Sequence, residues 1–74
     1  MKYQNTDISP QIGDIVKFVD NVFTLIVEDV IDAPEKRKEW GLKENGIMLN
    51  GEKYGLVFVN PDKDPELEFV RRKE

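Results

Sequence analysis

One stretch constrains this chain more than any other: residues 12–31, IGDIVKFVDNVFTLIVEDVI. β-Branched and aromatic residues fill two runs, and the polar pair Asp20-Asn21 falls between them where a tight turn belongs, so the stretch reads as an antiparallel hairpin. Its first strand is expected at about Ile15 to Val19, after a lead-in turn at Gly13-Asp14, and its second at about Val22 to Ile31. Alternation in the second strand puts Phe23, Leu25, Val27 and Ile31 on one face and Val22, Thr24, Ile26, Glu28 and Val30 on the other. The first set is the expected core face. Asp29 interrupts it. A bulge or strong bend near Glu28-Asp29 would resolve the interruption and let one long strand serve two sides of a small barrel.

The rest of the chain reads as supports for that hairpin. Residues 1–11 are polar and end in Ser9-Pro10, which suggests an extended N-terminal arm, mobile at its start, that docks Tyr3 or Ile8 onto the body. Residues 32–41, DAPEKRKEWG, combine a polar cap candidate at Asp32, an early proline and a terminal glycine, the pattern of a short helical turn near 33–40. Two turns of helix are marginal alone, so Trp40 or Leu42 is expected to pin it to the sheet. Gly46 to Leu49 leads into Asn50-Gly51, a two-residue hairpin signal, with Glu52 to Val59 as the partner strand. Leu56-Val57-Phe58-Val59 is apolar at successive positions, which predicts burial on both faces and a central place in the sheet. Gly55 marks a bend or a close backbone approach. Residues 60–65, held by Pro61 and Pro65, form a loop, and Glu66 to Arg72 follows as an edge strand with Leu67 and Phe69 inward.

These elements predict a mainly β protein: a five-stranded, partly open small barrel of two hairpins plus a closing strand, occupying residues 12–74 as one domain. On Gly13-Asp14-Ile15-Val16 and Phe23 the opening hairpin resembles SH3-like barrels of the Tudor and KOW type. The resemblance covers residues 12–31 and is one of fold pattern. It implies binding of nucleic acid or methylated peptide, but the residues depart where that function would sit. Asp20-Asn21 replaces the KOW-type glycine, no aromatic cage is legible, and a helical turn follows Ile31.

Composition narrows the chemistry. With 74 residues and neither cysteine nor histidine, the chain has no disulfide, no thiolate and no imidazole to staple a small core or ligate zinc. Nucleophilic catalysis finds only Ser9 beside Pro10, Thr6 and Thr24, with no histidine as base. Residues 1–11 contain no apolar stretch that could serve as a signal core, and no run approaches the ~20 apolar residues of a spanning helix, so a cytoplasmic protein without membrane contact is expected. A formal net charge of -4 opposes sequence-independent binding to nucleic acid, where lysine and arginine must neutralise phosphate. No cofactor is indicated.

The candidate residues follow from charge and aromatics. Asp29 is the one acid on an otherwise apolar face; a solvent-facing bend or pairing with a lysine or arginine is the plainer reading beside acid-base catalysis with a second carboxyl. Asp62, Asp64 and Glu66 alternate as the first ligands of an EF-hand loop do, but Leu67 and Lys73 stand where glycine and glutamate would be required. Two basic triplets, Lys36-Arg37-Lys38 and Arg71-Arg72-Lys73, would form one patch with Trp40 if the helical turn and last strand were neighbours. Trp40 and Tyr54 are the aromatics suited to anchoring an interface. The leading expectation is a non-enzymatic module that binds a protein or peptide through an exposed strand edge and an acidic surface, the same edge also allowing a homo-oligomer. The alternative is an inhibitor of a basic target, of the immunity or anti-defence kind, presenting Asp14, Asp20, Glu28, Asp29, Asp32 and the acids from Asp62 to Glu68, namely Asp62, Asp64, Glu66 and Glu68. Nucleic-acid binding through the triplets ranks below both.

Overall fold

The long second strand lies at the middle of a single antiparallel sheet. The computed structural model describes residues 1–72, so Lys73 of the second basic triplet lies outside the described residues. Its elements are β1 (Asp14–Phe18), β2 (Thr24–Ile31), α1 (Pro34–Trp40), β3 (Gly46–Gly51), β4 (Gly55–Val59) and β5 (Leu67–Arg72). The strand order is β4-β3-β2-β1-β5. The protein is mainly β with one short helix, and the sheet is not closed into a barrel, because β4 and β5 remain its two edges.

Two bulges decide which side chains face inward. Between β2 and β3 the register steps from Val27↔Leu49 to Asp29↔Met48 and leaves Glu28 unpaired. The extra residue swaps the faces of β2. Leu25 and Val27 point into the core, and beyond the bulge Val30 packs against it instead. Asp29 and Ile31 therefore share the outer face, where α1 packs on β2. Ile31 is buried there, not on the face it was expected to share with Leu25 and Val27. The second bulge lies between β1 and β5, where Val16↔Phe69 is followed by Ile15↔Arg71 and Val70 is skipped. It brings Arg72, not Arg71, opposite Asp14 on the inner side.

The core gathers Val16, Leu25, Val27, Ile47, Leu49, Val59 and Leu67 around Tyr3, with Ile8, Phe18 and Phe69 packed against them. Both docking residues expected in the first segment are thus used. Tyr3 fills the concave face with its ring 5.1 Å from that of Phe69. The segment folds back on itself: Asn5 takes φ 61 and the Tyr3 N–H donates to the Ile8 carbonyl at 3.0 Å.

Both turns differ from expectation. The Phe18 carbonyl accepts from the Asn21 N–H, so the turn centres on Val19-Asp20 and opens into a loop of residues 19–23. Phe23 lies in that loop, exposed, and not in the core. Asn50-Gly51 is strand; the reversal falls at residues 52–54, with Gly55 at φ 68 turning the chain into β4. Gly55 could accept that φ without strain, which moved the turn downstream of the Asn-Gly signal. Gly51 instead lies close to Leu25, where a Cβ would sit 3.1 Å from its side chain.

Double-sided burial falls on β3, where Ile47, Met48 and Leu49 are all buried, and not on β4. β4 is an edge strand, and Leu56 is 55% exposed. An apolar run is necessary for central burial but not sufficient, since after Val59 the chain leaves for the opposite edge through residues 60–66. β5 is an edge strand with Leu67 buried and Phe69 half-buried, as read from its sequence. At α1 the N-cap is Ala33 without a side-chain bond, so Asp32 does not cap it; Pro34 opens the helix and Gly41 closes it at φ 69.

Candidate interaction surface

The fold first removes several charges from the surface. Asp14 is 0% exposed. Its Oδ2 accepts from the Tyr3 hydroxyl at 2.8 Å and the Gln11 N–H at 2.9 Å, and its Oδ1 accepts from Arg72 Nε at 2.8 Å. Burial alone would lift its pKa, but hydrogen bonds from Arg72, Gln11 and Tyr3 and the guanidinium charge hold the carboxyl below its ordinary range. Burial, then the hydrogen bond to Asp14, pushes the Tyr3 phenol well above its usual value. Asp14 therefore cannot meet a partner, which corrects its place among the acidic contact residues.

Asp29 resolves as the plainer reading held. Its Oδ2 accepts from Trp40 Nε1 at 2.9 Å and Lys36 Nζ at 3.1 Å, and its Oδ1 accepts from the Val30 N–H. The Trp40 bond foremost, then burial opposing it and the Lys36 bond and charge, leaves the carboxyl below its ordinary range, and the same carboxylate raises Lys36. Trp40 thus pins α1 to the sheet through a carboxylate. The Asp29 carboxylate and the Trp40 indole N–H are both engaged within the fold.

The two basic triplets are not brought together. Among the strands α1 packs on β2 alone, and Arg71 and Arg72 sit on the far edge strand. Arg72 is committed to Asp14 and Lys36 to Asp29, and Arg37 bonds the Asn45 side chain. Asp20, Glu28, Asp32, Asp62 and Glu66 are exposed and Asp64 is half-buried. Two of these segments adjoin, because the Val19 N–H donates to the Glu66 carbonyl at 2.8 Å. In the 60–66 loop Asp64 Oδ1 accepts from the Glu66 N–H, a turn-forming bond, and among the described residues no three acidic groups converge on a metal position.

What remains is a groove on the outer face. There Ile15, Ile26 and Asn50 stand in one cross-strand row, beyond the part of the face beside α1. The two hairpin tips rise beside them. Asn21 Oδ1 accepts from the Phe23 N–H at 3.0 Å and so fixes the first tip, while its Nδ2 donates to the Tyr54 hydroxyl and ties the tips together. Lys53 Nζ lies 4.7 Å from the Phe23 ring centroid. The groove between these residues has a volume of about 350 Å³. Phe23 is 43% and Tyr54 44% exposed, with Val22 at 87% beside them. Of the two expected site aromatics, Tyr54 lines this groove and Trp40 does not. Phe23 was missed because alternation assigned it to the core; the signal was Asn21 two residues earlier, whose side chain can bond the backbone and lengthen the loop.

No helix is long and apolar enough to cross a membrane among the described residues. Comparison of the chain with protein-family models, with curated proteins and with solved structures finds no match.

Proposed function

We propose that this chain is a non-enzymatic binding module of the SH3-like small-barrel kind, acting in the cytoplasm, that grips a segment of another protein in the groove between its hairpin tips. The observation that carries this reading is the exposure of Phe23 and Tyr54 on one concavity. Large aromatics held at the surface by hydrogen-bonded loops contribute strongly to interfaces, since little further ordering is needed on binding. The pairing of Lys53 with Phe23 adds a cation at the rim, suited to a segment with an apolar side chain beside a carboxylate.

The test is selection of a random peptide library on the wild-type protein, followed by NMR mapping of the bound peptide. Shifts at Ile15, Phe23, Ile26, Asn50 and Tyr54, with loss of binding in the Phe23→Ala, Tyr54→Ala double variant, are expected. Shifts confined elsewhere would overturn the reading. A second reading, the acidic inhibitor of a basic protein, draws on the adjoining loops that carry Asp20 and Glu66. It requires basic ligands whose association slows steeply with salt and whose shifts fall on Asp20, Asp64 and Glu66.

A further inference from the structure

The two sheet edges are built differently. β5 carries Glu68, Arg71 and Arg72 and a bulge at Val70, the features by which natural edges resist pairing with another strand. β4, Gly55-Leu56-Val57-Phe58-Val59, has no charge and no proline, and its register against β3 runs through all five residues without a shift. Among the described residues no loop backbone group bonds to its outward side. Leu56 adds exposed apolar surface on the outer face.

We infer that β4 pairs with β4 of a second copy of this chain, antiparallel about Val57, joining two five-stranded sheets into one. The strand is self-complementary in that register. Val57 meets Val57, Leu56 meets Phe58 and Gly55 meets Val59, so outer residues stand opposite outer residues and inner opposite inner. No charged residue lies within the join, although two copies of a chain with a net charge of -4 repel as wholes. Every facing pair is apolar or glycine, Leu56 with Phe58 and Val57 with Val57, and a second copy supplies that partner strand by symmetry. None of the five β4 residues lines the groove proposed above, so the inference stands apart from that reading.

Sedimentation equilibrium from micromolar to millimolar protein, with amide exchange measured by NMR over the same range, tests it. The mass is expected to double with concentration while the β4 amides gain protection. Leu56→Lys and Leu56→Glu each place like charges diagonally across the join, and each should raise the dissociation constant several-fold; Leu56 is exposed, and a thermal melt verifies that both variants fold. An equimolar mixture of the two variants should regain dimer. Glu68→Gln on β5 and the Phe23→Ala, Tyr54→Ala variant should dimerise as the wild type does. A monomer at all concentrations, a dimer with unprotected β4 amides, or a mixture no tighter than its components would overturn the inference, and each leaves the groove reading untouched.

Discussion

Asp14 and Asp29 are both strand carboxylates set among apolar neighbours, and the protein disposes of them in opposite ways. Asp14 stays inward, and the bulge in the adjacent strand delivers Arg72 to it. At Asp29 the bulge lies in its own strand and turns the acid outward, where the helix brings Trp40 and Lys36. The first solution keeps the anion inside and reaches it with a guanidinium that stays 42% exposed, and the second carries the anion outward. Both satisfy the carboxylate, and among the described residues no buried side-chain polar atom lacks a partner. The difference lies in what else depends on the acid. Asp14 joins the first segment, β1 and β5, whereas Asp29 holds only α1 against the sheet.

That asymmetry can be broken stepwise. Asp14→Ala strips the acceptor from the buried Tyr3 hydroxyl and from the Gln11 N–H while Arg72 stays solvated, and is expected to cost about 2–3 kcal/mol in urea unfolding, the range for buried donors left unpaired. Tyr3→Phe removes one bond to the same carboxylate while leaving the ring in place, with an expected loss of about 1–2 kcal/mol. Asp29→Ala should cost about 1–2 kcal/mol and shift Trp40 fluorescence as the indole N–H loses its acceptor, with the core amides unchanged in hydrogen exchange. Lys36→Met should scarcely move the urea midpoint, since the ammonium is largely solvated. An effect of Asp29→Ala as large as that of Asp14→Ala would abolish the distinction between the two sites.

Acid and base sharpen the same comparison. Both carboxyls have pKa values lowered by folding, so the stability they contribute is present above the unfolded carboxylate range and is lost as pH falls below about 4. The acid limb of a stability-pH curve should flatten in both Asp14→Asn and Asp29→Asn. Tyr3 behaves in the opposite sense. Its raised pKa means that its contribution is present at neutral pH and declines once pH rises above about 10, where the unfolded chain ionises the phenol. Tyr3→Phe should remove that alkaline decline.

Five strands, the short helix and the bulge at Glu28-Asp29 were legible because each rests on local chemistry: β-branched runs, a proline and glycine around the helix, and a carboxylate that alternation could not place indoors. The Asp14 to Arg72 pair was not legible, since it joins residues 58 positions apart and depends on a bulge at Val70 that no turn residue announces. Leu56 to Val59 misled for a related reason: strand order decides which of two apolar strands lies inside, and the order is set by a loop that carries the chain across the fold. At the candidate site Tyr54 could be named from sequence and Phe23 could not, because its exposure follows from one extra stretch of loop after Asn21.

The carboxylate of Asp14 also fastens together segments that are far apart in the sequence. The residues that surround it come from position 3, position 11 and position 72. One buried carboxylate thus works as a clasp: undoing either the Tyr3 side or the Arg72 side releases a segment that the sheet hydrogen bonds alone do not tie to the other.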